Sequence, residues 1–247
     1  MQAFDLRIYD STGVQMLGRA HYTLRQSGGA MSIDGRNDFL DGQYDIERDV
    51  LRNPEAGAPR RLLSYEHDFF DAHGASKIVA RANTATGKAT CLWFENSRAS
   101  VGAVAMQFPP DTYAGASVLV PIAEALRQGV SSQLEFHVFD CASNPRILTL
   151  RVDLERSTWP SRPLDGQLVR AEARPIFGWF DLLLKPFIPI VRLWFEPEHD
   201  YAFVGGMLAR YYRGPEVLMV STAPPALAGT APSSQTGAAA SATSSER

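Results

Sequence analysis

The stretch FDLRIYDSTGVQMLGRAHYTLR, Phe4 to Arg25, decides the fold. Phe4, Leu6 and Ile8 alternate with Asp5, Arg7 and Tyr9, the period of a strand with one dry face. Val14 and Met16, then Tyr22 and Leu24, carry the same period after the turn DSTG. Gly13 there supplies the positive φ that a tight hairpin needs. The chain therefore opens as a β hairpin, and the pattern continues outward from it.

QSGG is the next turn, followed by AMSIDGRNDFL and GQYDIERDVL, where Tyr44 and Ile46 are the alternating apolar positions. After the loop NPEAGAP come RLLSYEHDFFD, SKIVARAN and KATCLWFE, separated only by AHG and TATG. Turns this short make antiparallel neighbours. VLVPIAEALRQG, Val118 to Gly129, departs from period two. Ile122, Ala125 and Leu126 recur at helical spacing, Pro121 fits a first turn and Gly129 fits the position after the last turn. QLEFHVFD and RILTLRVDLER form a hairpin across CASNP, and QLVRAEAR, DYAFVGGMLARYYRG and PEVLMV add further strands. The expected fold is mainly β: a curved antiparallel sheet or incomplete barrel wrapped around one central helix. One β-rich domain is expected over residues 1–221. Residues 222–247, rich in Ala, Ser, Thr and Pro, are expected to form a disordered tail that cannot bury enough surface to offset its ordering entropy.

The chain has 247 residues, 45% apolar and 21% charged, with a net charge of -3. Acid and base are interspersed, which excludes the clustered basic face of a nucleic-acid binder. Two cysteines, Cys91 and Cys141, are too few for a disulfide framework and form no CxxC. They read as two buried free thiols, or as one inter-strand bridge if the protein is exported. The first residues carry no charged region followed by an apolar one. As written this points to the cytoplasm, and to the periplasm or envelope if a leader precedes it.

IFGWFDLLLKPFIPIVRLWF, Ile176 to Phe195, is the most apolar stretch. Asp181, Lys185, Arg192 and two prolines argue against a membrane span. It parses as a short amphipathic piece, a kink at KPFIP, and a strand with Val191, Leu193 and Phe195 on one side and Arg192 and Trp194 on the other. It plugs the sheet as core, or it serves as a flap over an apolar cavity.

No GxSxG, GxGxxG, P-loop, HExxH or metal-binding cysteine pattern is present. EHDFFDAH (Glu66, His67, Asp68, Asp71, His73) is the densest polar cluster and reads as hairpin polarity. His137 and Asp140 lie three apart on a strand and so face opposite ways. EPEHD reads as a turn, and RYYRGP as a sheet rim with two tyrosines and two arginines.

The order VLVPIAEALRQG, hairpin, RLWFEPEHDYAFVGG, YYRGPEVLMV resembles an uncharacterised family of bacterial envelope β-proteins, loosely similar to the outer-membrane lipoprotein carriers. The resemblance spans about Arg60 to Val220 and rests on aromatic and turn placement. It implies a curved sheet around a helix and an envelope location, and it brings no catalytic residues. This chain lacks the lipobox cysteine of such proteins.

The function expected is non-enzymatic binding of an apolar or lipid-like ligand in the concavity, with Trp179, Phe180, Leu183, Phe187 and Trp194 as contacts and no cofactor, metal or nucleic acid. The alternatives are an envelope scaffold that docks a partner protein or membrane surface through 176–195, and a hydrolase with a site near His67 and Asp68.

Overall fold

A computed structural model describes residues 1–54, 58–95, 98–141, 144–158, 167–177, 190–210 and 214–222. The tail expected at 222–247 lies outside them from residue 223 onward. Within the described residues, fifteen strands form one sheet. The first meander comprises β1 (Gln2–Asp10), β2 (Met16–Ser27), β3 (Ala30–Phe39), β4 (Tyr44–Arg52), β5 (Arg61–Phe70), β6 (Ser76–Asn83), β7 (Lys88–Glu95) and β8 (Arg98–Ala105). The second comprises β9 (Thr112–Tyr113), β10 (Gln133–Cys141), β11 (Pro145–Ser157), β12 (Leu168–Pro175), β13 (Val191–Glu196), β14 (Ala202–Ala209) and β15 (Glu216–Ser221). The order in space runs β8 back to β1, then from β15 back to β9. All pairs are antiparallel except β9 with β10.

The opening hairpin forms as its period requires. Phe4, Leu6 and Ile8 are buried, and Gly13 has φ 75. Ala20 and Tyr22 on β2 share that inner face, whereas Val14 lies exposed in the turn. Tyr22 stacks on Phe4, ring centroids 5.3 Å apart. Its ring passes over Gly35 on β3, where any Cβ would overlap it. A residue without a side chain is what lets the sheet bury a tyrosine there.

The helix α1 spans Leu119–Arg127 and follows a 3-10 turn, Gly115–Val118. Gly129 has φ 84, the left-handed conformation that ends helices. α1 buries Val120, Ile122, Ala123 and Leu126 against the inner face of the sheet. Ile122 packs there with Tyr113, Phe136, Val152, Phe195 and Phe203 in the main core. No helix among the described residues is long and apolar enough to cross a membrane.

The sheet is an incomplete barrel. β8 and β9 are its two ends and do not pair with each other. The β5–β7 end instead curls over β10, so that Leu62, Tyr65, Ala80 and Ala82 pack with Phe139 in a second cluster. This curl decides between the two expectations for the cysteines: they form the inter-strand bridge and are not free thiols. Cys91 on β7 and Cys141 at the end of β10 are joined by a disulfide with Cα atoms 5.7 Å apart. Strand periodicity cannot anticipate this, because the two residues meet across the seam and not along any ladder.

The bridge closes a loop of 50 residues between the sheet ends. The chain-entropy relation assigns about 4 kcal/mol to such a closure. Replacing both cysteines by alanine should lower the urea-unfolding free energy by that order, and reductant should do the same to the native protein.

Candidate functional site

Of the five residues expected to contact ligand, Trp179, Phe180, Leu183 and Phe187 lie outside the described residues. Trp194 is 2% exposed. It packs with Leu168, Val204 and Leu218, while its neighbours Leu193 and Phe195 join the main core with α1. The expected division of β13 into two faces therefore holds, and Trp194 sits on the face away from the helix.

The concave side is largely filled by α1. Beside the helix a cavity of about 110 Å³ remains, between β1, β2, β3 and α1. Leu24, Met31, Val120 and Ala123 give it an apolar floor. Arg25, Arg60 and Arg127 also line it, with Glu124 as the one acid. Arg60 pairs with Glu124, and Arg127 holds the Asp200 carboxylate at 3.0 Å and its backbone carbonyl. Arg25 is exposed and forms no ion pair among the described residues.

A second polar feature escaped the sequence pattern. The alternation in YDIERDVL runs opposite to that expected: Ile46 is 42% exposed, while Asp45, Glu47 and Asp49 are buried in phase with Leu51. Three acids at period two were legible in the sequence. The apolar Tyr44 and Ile46 drew the register the other way. The inner face accepts the acids because the 3-10 turn before α1 brings donors to them. The Ala116 N–H donates to Glu47 Oε1, and the Ser117 N–H donates to Asp49 Oδ2 at 2.7 Å. Gly115, with φ 47, allows this approach, since a Cβ there would overlap the Glu47 carboxylate. Asn37 Nδ2 donates to Asp45 Oδ1 at 2.6 Å, and the Tyr22 hydroxyl donates to Asn37 Oδ1 at 3.4 Å.

Burial sets the protonation of this ladder. It pushes Asp45 up to about 7, helped by the charge of Glu47. Burial also raises Glu47, and it raises Asp49 well above the carboxylate range, with the Glu47 charge adding to it. Asp49 Oδ1 has no N–H or O–H donor in reach. The Glu47 side chain is buried beside it on the same face of β4. On β5, burial lowers His67 to about 4, and its Nε2 lies 3.9 Å from Asp45 Oδ1.

The remaining polar motifs disperse. Asp68 takes a two-pronged ion pair from Arg81, and Asp71 pairs with Lys77 and caps its own turn. His67 and His73 do not converge. His137 pairs with Asp111, and Asp140 with Arg146, on opposite faces. Arg210 lies over the Phe39 ring and grips Asp41. No group of three or more His, Cys, Asp or Glu among the described residues is arranged to hold a metal ion.

Fold and interior together define a β-barrel-like protein with an open seam and a helical plug. No family model and no curated protein matches the chain. It is similar to the solved structure of a β-barrel-like protein of the domain of unknown function DUF1849 from Brucella abortus. That similarity has 11% identity and a TM-score of 0.47, and covers 89% of this chain and 94% of that one. It concerns overall fold alone.

The pH dependence of stability follows from Asp45 and His67 in opposite directions. Asp45, raised from 3.8 to about 7, contributes stability that is fully present below 3.8 and lost as pH rises towards 7. His67, lowered from 6.5 to about 4, contributes stability present above 6.5 and lost as pH falls towards 4. The two offset each other across that range. Relative to the native protein, Asp45→Asn should tilt stability upward with rising pH and His67→Gln should tilt it downward, both read from urea midpoints. Gly115→Ala should cost about 2–3 kcal/mol in the same assay, from positive φ and the clash with Glu47.

Proposed function

We propose that the protein binds an apolar or lipid-like ligand with an anionic head at the mouth beside α1, without catalysis. The observation that carries this reading is an apolar floor beside a rim of three arginines, where Arg60 pairs with Glu124 and Arg127 with Asp200, and Arg25 has no ion pair among the described residues. A cavity of about 110 Å³ approaches the ~150 Å³ that holds benzene in an engineered protein core. It therefore takes the end of an acyl chain or a short branched tail. An arginine at the mouth is suited to a carboxylate or phosphate head, because its planar fork matches two oxygens at once.

The disulfide supports an exported setting for this activity, since such bridges persist where thiols are not kept reduced. That agrees with the envelope location implied by the resemblance to the carrier-like family.

The first experiment is native mass spectrometry of freshly purified protein, followed by solvent extraction of what co-purifies. A discrete added mass, extracted as an acyl-bearing acid, is expected; a clean apo mass overturns the proposal. Arg25→Glu should reduce the loaded fraction about two- to fivefold, the scale of one exposed charge, without moving the unfolding midpoint.

A further inference from the structure

We propose that Glu47 and Asp49 form a proton-held latch for the helical plug. While the two carboxyls share their protons, the turn Gly115–Val118 stays seated; loss of those protons to solvent unseats the turn and α1 with it. The geometry places this latch where it governs the plug. Both carboxyls lie in the wall of the sheet on β4, and the plug is tied to them through two backbone amides, Ala116 N–H on Glu47 and Ser117 N–H on Asp49. Two adjacent buried carboxyls ionise together only against desolvation and mutual repulsion, and among the described residues neither forms an ion pair with a Lys or Arg.

Among the described residues, the following groups face the pair. Tyr22 comes from β2, Asn37 from β3, Tyr65 and His67 from β5, and Asp45 from β4 itself. Tyr22 and Tyr65 are raised well above their ordinary values by burial and by these acids, so they stay neutral. Arg210, in the segment after β14, acts on Asp45 as a nearby cation. On the plug side, Ser117 Oγ donates to the Ala114 carbonyl at 2.5 Å. Glu124 points to Arg60 on the cavity side. The Ala116 and Ser117 amides favour the ionised carboxyls, but desolvation is the larger effect on each, and the Glu47 charge adds to it at Asp49.

Val120 and Ala123 of α1 form part of the cavity floor, so unseating the plug dismantles that wall. That this regulates ligand access rests on the binding reading above; the latch itself does not.

The test is hydrogen exchange of the α1 amides, Leu119–Arg127, on the full chain without ligand, corrected for intrinsic exchange, from about pH 5 to about pH 9. Opening that releases one proton lowers protection about tenfold per pH unit between the open-state and closed-state values. Native protein and Asp45→Asn should both show this fall in α1, while the β1 amides from Phe4 to Ile8 keep their protection. Asp49→Asn keeps the size and the acceptor for Ser117, and it should flatten the fall. Glu47→Gln should do the same, and it decides the matter if the first variant does not fold. A flat native profile, an unchanged fall in the folded variants, or equal losses in α1 and β1 would each overturn the latch. An apo mass in the binding experiment leaves this test intact, and a failure here leaves the binding reading standing.

Discussion

Two backbone amides at the start of a 3-10 turn end on two carboxyls buried in the wall of a sheet, and the position of everything inside the barrel follows from that contact. At the start of the turn the Ala116 N–H has no earlier helical turn to accept it, and the Ser117 N–H is shared between the Ala114 carbonyl at 3.0 Å and the sheet. Glu47 and Asp49 are the acceptors in the sheet. The helix that follows is then aimed inward, where Val120, Ile122, Ala123 and Leu126 meet the inner face. An apolar wall would leave the Ala116 amide unsatisfied, at a cost of about 1–3 kcal/mol, and Ser117 with the Ala114 carbonyl alone. The acids are costly to bury as ions and cheap to bury as acids. This links the seating of the plug to the proton occupancy of the sheet.

Much of the architecture was legible because strand and helix periods are local. Phe4, Leu6 and Ile8, the hairpin around Gly13, and the helix ended by Gly129 follow from residues within a few positions of one another. Three features were not. Ile46 suggests one register for β4, and its exposure shows the other, with an acidic inner face. The partner that makes an acidic face tolerable lies 68 residues further on in sequence. The disulfide joins strands at opposite ends of the sheet, and its existence depends on a curl that no single strand encodes. The arginine-rimmed cavity draws on Arg25, Arg60 and Arg127, from three separate segments, so no window of sequence contains it. In the aromatic stretch 176–195, the sequence did assign Leu193 and Phe195 to one face and Trp194 to the other.

The barrel has an unusual division of labour between covalent and ladder closure. Barrels ordinarily remove their edges by pairing the last strand with the first. Here the two ends of the sheet overlap, packed through alanines on β6 and β7 against Phe139. Small residues let the two layers approach, and the Cys91–Cys141 bridge fixes how far one slides over the other. The interior can thus hold a helix and a small cavity without the shear that a closed ladder imposes.

The pairing of β1 with β15 has a consequence for how the chain is made. Leu6 sits opposite Ser221 and Asp10 opposite Val217, so the centre of the sheet joins the two most distant strands in sequence. Each meander can zip up from its own hairpins, but β1 presents an unpaired edge until the far end of the chain has been synthesised. An edge in that state is open to pairing with the β15 of another molecule as readily as with its own. Crowded nascent chains would exchange halves at this seam, and the long-range register that completes the fold is formed last.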